Sequence, residues 1–183
     1  MNRTTLAIKA RLLPMGALAL LAGLFQALAP VPAHAAFDLT PYQDTYYVQQ
    51  PWNLPLASRF SVTTGGATPI YNAWIEHGDQ PLRQGSTTGS RTEMHWWTIW
   101  GGNEHMWGAY VWIDPGTDNS CIMQIKSGDG GNEAIYVVAK GGNLYNSVGP
   151  QIAANMYGRW FWMVTDYNPA NQQAHIWING SLA

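Results

Sequence analysis

The stretch "SCIMQIKSGDGGNEAIYVVAKGGNLYN", residues 120–146, holds three runs of apolar and β-branched residues separated by two glycine-rich breaks. Val, Ile and Tyr suit the pleated, half-buried surface of a sheet. "SGDGGN" and "KGGN" supply residues that accept a positive φ, which tight reversals require. The pattern predicts strands at 120–126, 133–140 and 143–146, joined as successive antiparallel hairpins. Outward from there the same signature recurs. Strands are expected at 59–63, 70–76, 91–98, 106–113, 159–166 and 173–178, with breaks at "TTGGATP", "DPGTDN", "YNPANQQ" and "NG". No long segment repeats every 3.6 residues, so the fold class is all-β, a two-sheet antiparallel β-sandwich.

Residues 1–35 read differently. Arg3, Lys9 and Arg11 form a positive start, "LLPMGALALLAGLFQALA" is apolar, and "AHA" ends at Ala35 as a small-x-small cleavage site. This is the pattern of a secretory signal peptide. Pro14 and Gln26 interrupt the apolar run, which falls short of the roughly 20 residues that a spanning helix needs. The expected organisation is a leader at 1–35 and one β-sandwich domain at 36–183, secreted or periplasmic, with no membrane association after cleavage. That domain carries six basic and eleven acidic residues, a net charge of −5, which argues against a nucleic-acid partner. Cys121 is the only cysteine, so the chain forms no internal disulfide, and it is expected to pack as a small apolar residue. No cofactor and no metal site is expected. Glu104 and His105 are adjacent, so on a strand they point apart, and no third ligand is spaced to join them.

Side chains alternate along a strand. Arg91, Glu93, His95 and Trp97 therefore share one face, with Thr92, Met94 and Trp96 on the other. In "CIMQIKS", Gln124 and Lys126 stand opposite Cys121, Met123 and Ile125. Two polar rows of this kind are either a solvated face with an ordinary surface ion pair or the wall of a binding groove. Ten tryptophans suit cross-strand packing, and in part stacking on the apolar faces of sugar rings.

"RTEM", then "QIK" about 30 residues later, then "YVVAKGGNLY", "GRWFWMVTDYNP" and "AHIWING", resembles in order and spacing the jelly-roll, concanavalin-like polysaccharide lyases of the alginate and glucuronan type. The likeness covers most of residues 59–180. It implies a jelly-roll sandwich and β-elimination on a uronic-acid-containing polysaccharide by a monomer without a cofactor. Carried over by position, Arg91 and Gln124 bind the sugar carboxylate, Arg91 through its two-pronged guanidinium. Glu93 orients Arg91 and joins Trp97 and Tyr136 in the substrate-binding set. His95 stands where the family has a second Arg, and Lys126 where it has a His. An ammonium beside a bound carboxylate keeps its proton, so Lys126 is expected to neutralise charge and His95 to serve as the base. The family's late Tyr-x-Lys-x-Gly-x-Tyr strand, which carries its catalytic tyrosine, does not occur before Ala183. The expectation is a sandwich incomplete at its C-terminus, either a truncated lyase or a chain without elimination chemistry. The rival reading is a non-catalytic carbohydrate-binding module on the same fold.

Overall fold

A computed structural model describes residues 8–11, 46–66, 69–96, 104–127, 132–147 and 149–183. In chain order the strands are β1 (Ile8–Arg11), β2 (Tyr46–Gln49), β3 (Phe60–Thr63), β4 (Ile70–Ala73), β5 (Glu93–Trp96), β6 (His105–Ile113) and β7 (Ser120–Lys126). β8 (Glu133–Lys140), β9 (Asn143–Asn146), β10 (Gln151–Ala153), β11 (Trp160–Asn168), β12 (Gln173–Ile178) and β13 (Ser181–Leu182) follow. One single-turn 3-10 helix, Leu56–Ser58, precedes β3. Among the described residues no helix is long and apolar enough to cross a membrane.

The protein is an all-β sandwich of antiparallel sheets. A seven-stranded sheet runs in the order β13-β12-β11-β6-β1-β4-β3, a four-stranded sheet in the order β10-β9-β8-β7, and β2 pairs with β5. The opening stretch forms the hairpins its glycines announced. Lys140 pairs with Asn143, leaving Gly141 and Gly142 as a two-residue turn with φ of 56° and 84°. Positive φ at both positions matches the twist of the flanking strands. Asn179 and Gly180 do the same between β12 and β13, with φ of 51° and 84°.

Alternation places the core. From the large sheet come Ala109, Val111, Ile113, Phe161, Met163, Ile176 and Ile178, and from the four-stranded sheet Ile125, Ile135, Val137, Ala139 and Leu144. On the opposite face of the large sheet aromatic residues pair across strands. Tyr110 and Trp162 lie 5.0 Å apart between ring centroids, and Trp112 and Trp160 lie 5.8 Å apart. Gly108 makes room for Trp162, since a β-carbon there would stand 3.1 Å from its ring. Several tryptophans are thus accounted for by packing against each other.

Two strands fall well short of the expected runs. The 70–76 run ends at Ala73, opposite Phe60 where β3 begins, and the Trp74 N–H donates to the Arg59 carbonyl just beyond. The 91–98 run begins at Glu93, because Pro51, just past the end of its partner β2, has no N–H to extend the ladder. Its far end, Trp97 and Thr98, lies outside the described residues, as does Ala35. β2, β10 and β13 are too short to show a period. The sequence pattern marks residues 8–11 only as part of the positive start of a leader, yet they form a strand inside the large sheet.

Candidate functional site

The two polar rows meet across a cavity of about 550 Å³. Arg91, Glu93 and His95 line one side, Cys121, Gln124 and Lys126 the other, with Tyr71, Ala73 and Val111 of the large sheet also in its wall. β5 and β7 are not hydrogen-bonded neighbours, since β5 pairs with β2 and β7 ends the four-stranded sheet. The rows come from different sheets and border the cavity together with apolar Met94, Met123 and Ile125, so they do not form one continuous surface.

Arg91 is held by the segment before it. Arg59 donates from Nε and Nη2 to the two carboxylate oxygens of Asp79, each at 2.7 Å, and the Glu76 N–H donates to the same carboxylate at 2.7 Å. These bonds hold the Asp79 carboxyl below the usual carboxylate range, chiefly through the Arg59 contact. The Asp79 carbonyl accepts the Ser90 hydroxyl, and Pro81 bridges to Ser90, so the clamp ends one residue before Arg91. Arg91 Nη1 lies 3.8 Å from Glu93 Oε1, and both side chains are about one-third exposed, at 34 and 38%. They share a side, as alternation requires. Thr92 between them is buried.

His95 lies with β2. Tyr47 Oη is 2.8 Å from its Nδ1, and Gln49 Nε2 donates to that nitrogen at 2.9 Å. The Tyr47 hydroxyl and the Gln49 amide thus fix the orientation of the imidazole. On the other side of β5, Trp96 packs near Tyr46 and Trp107.

Gln124 pairs with Tyr136 on β8, and its amide Nε2 donates to Glu133 Oε1 at 3.0 Å. Glu133 also stands opposite Lys126 in the register. Single-strand alternation did not single out Glu133, although counting back across the "SGDGGN" turn would have placed it there.

Cys121 is a correction. It was expected on the core side with Met123, but the register shifts between the two, and Cys121 pairs with Val138. A bulge of this kind turns one residue to the other face. The thiol lines the cavity, donating to the Met123 carbonyl at 3.4 Å. Burial pushes it up to about 11, with the charges of Glu93 and Glu133 adding to the effect. Tyr136 is raised above the usual tyrosine value, chiefly by burial and then by Cys121 and Glu133, while Arg91 pulls it the other way. Arg91, Glu93, Cys121, Glu133 and Tyr136 thus sit within one electrostatic neighbourhood.

Arg91, Glu93, His95, Gln124 and Lys126 are therefore brought to one cavity, Tyr136 stands beside Gln124, and Trp97 lies outside the described residues. Among the described residues no three His, Cys, Asp or Glu side chains cluster as a metal site would need. Elsewhere, buried Asp166 accepts both the backbone N–H and Nδ1 of His175, at 3.0 and 2.8 Å, on the face of the large sheet away from the core.

No protein-family model matches the chain. No solved structure matches it either. A citrate-binding protein of Hevea brasiliensis is similar, at 25% identity over 145 residues, covering 75% of this chain. The chain spans little more than half of that relative, 57% of its length.

Proposed function

We propose that this chain is an exported protein that holds a uronic-acid-containing polysaccharide by its carboxylates and cleaves it by β-elimination. The observation that carries the reading is the convergence of Arg91, Gln124 and Lys126 on one cavity, with Tyr136 beside Gln124. A proton next to a carboxylate becomes removable only when the charge developing there is stabilised. Donors aimed at that position are the means by which a protein does so. Arg91 offers a planar fork and Gln124 an amide donor, while Lys126 adds a second positive charge. Gln124 reaches the substrate by exchanging Glu133 for the sugar carboxylate.

In the elimination, the proton on the carbon beside the carboxylate passes to a base. Its electron pair forms a carbon–carbon double bond, and the bond to the glycosidic oxygen breaks as that oxygen takes a proton. The Tyr136 hydroxyl, beside Gln124, is the proton donor this reading assigns to the leaving oxygen, and burial raises it above the ordinary tyrosine value, which makes it a weak acid. The base is the weaker half of the machinery. Nδ1 of His95 is engaged by Tyr47 and Gln49, and taking the proton there requires giving up those contacts. General acid–base groups contribute typically about 100- to 10,000-fold each, so binding is expected to be firm and turnover slow.

The test is ultraviolet absorbance of the unsaturated product on polymannuronate, polyguluronate and polyglucuronate. A slow rise that Arg91→Ala abolishes is the expected result. Binding to these polymers with no rise on any of them would replace the lyase reading with that of a binding module. The Hevea relative's name favours a second reading, a site for a free polycarboxylate, because the same donors suit citrate. Citrate that binds tightly and is not displaced by oligouronates would favour it.

A further inference from the structure

The large sheet has a position that none of the described residues of 36–183 fills. β1 lies between β4 and β6 and is antiparallel to both. Neighbouring strands stand about 4.8 Å apart, so β4 and β6 are roughly 10 Å from each other across it. That is too far for direct hydrogen bonds. β4 and β6 also run parallel to each other, so closing the gap would require a different ladder and register. Ile8 stands opposite Ala73 and Ile113, and Ala10 opposite Tyr71 and Val111. Ala73, Tyr71 and Val111 line the candidate cavity, so the strand in this position borders the site.

We propose that the gap between β4 and β6 is a strand-acceptor site, filled in the uncleaved chain by its own Ile8–Arg11. Release of the leader then opens the sheet beside the cavity. The proposal rests on the reading of residues 1–35 as a cleaved leader, and it is independent of what the cavity binds. Recognition is by main-chain hydrogen bonds on both edges of the incoming strand, the mode by which extended peptides add to exposed sheet edges. With the strand gone, two facing rows of N–H and C=O groups are left unpaired, which invites the return of the strand or pairing with another chain.

The experiment compares the full chain with the 36–183 form by amide hydrogen exchange, then adds a synthetic peptide of residues 5–14. The slot-facing amides of β4 and β6 should exchange at least about tenfold faster in 36–183 than in the full chain. The peptide should bind one to one and restore their protection. The same peptide carrying Lys9→Pro and Ala10→Pro, which lacks a donor to each side, should not. Slot-facing amides equally protected in both forms would overturn the proposal, as would a proline peptide that works as well. A 36–183 dimer with those amides protected would overturn the assignment to the leader and give the slot to a second copy. If 36–183 folds neither alone nor with the peptide, Lys9→Pro with Ala10→Pro in the full chain decides. A lower melting temperature with faster exchange in β4 and β6 supports the proposal, and an unchanged protein refutes it.

Discussion

Replacing Asp79 with Asn tests whether the Arg59 clamp holds the segment that delivers Arg91. Both hydrogen bonds of the pair measure 2.7 Å, and the side chains are only 12% and 5% exposed. At an effective dielectric of about 20, two unit charges roughly 4 Å apart attract by about 4 kcal/mol. Removing one partner of a buried pair costs about 3–5 kcal/mol, because the other is left uncompensated. Asn keeps the shape and one acceptor, which puts the loss near the low end, about 3 kcal/mol. For a domain of this size, that lowers the melting temperature by roughly 6–12 °C. Glu93→Gln, at a 3.8 Å contact between one-third-exposed side chains, should cost under about 1 kcal/mol. The pH dependence carries a sign. The Asp79 carboxyl is held below its ordinary value, so its contribution is complete above the unfolded pKa, about 4, and fades as pH falls through the lowered folded value. Thermal melts of wild type and Asp79→Asn between pH 2 and 8 should therefore differ most at neutral pH and converge in acid. Melting temperatures within 1 °C of each other at pH 7, or a gap that persists undiminished into acid, would refute the clamp.

Glu133→Gln frees the Gln124 amide and removes a negative charge beside the anion site, so oligouronate affinity should rise by roughly 2- to 5-fold in titration calorimetry. The Cys121 thiol, pushed up to about 11, should react with iodoacetamide at neutral pH roughly 100-fold more slowly than an ordinary free thiol. Its labelling should accelerate steeply between pH 9 and 11, and fast labelling at pH 7 would contradict the buried geometry. Gly108→Ala presses a methyl against the Trp162 ring at 3.1 Å, and should destabilise by about 1–2 kcal/mol with a changed near-ultraviolet dichroism. An unchanged aromatic spectrum would mean that Trp162 does not lie over the glycine.

Most of the sandwich was legible in the sequence because its signals are local. β7, β8, β9 and β12 have the bounds that composition and glycine turns predict, and β6 and β11 extend beyond theirs by one or two residues. The polar row of Glu93 and His95 followed from alternation alone. The losses come where a partner strand decides the outcome. Pro51, just past the end of β2, stops β5 short of Arg91, and the bulge after Cys121 reverses a face that strict alternation assigned to the core. Glu133 was missed because its place depends on the register across a turn. β1 was missed because a short basic and apolar run carries no period, and its strand state depends wholly on the two edges that receive it.

The central claim is that Arg91 and its neighbours read a carboxylate. Titration calorimetry with one oligouronate and with the same oligomer after its carboxylates are reduced to alcohols tests it most directly. The account predicts binding to the first, a loss of at least about tenfold on the second, and an equal loss when Arg91→Ala meets the intact oligouronate. Equal affinity for the acidic and the reduced oligomer, unchanged by Arg91→Ala, would contradict it.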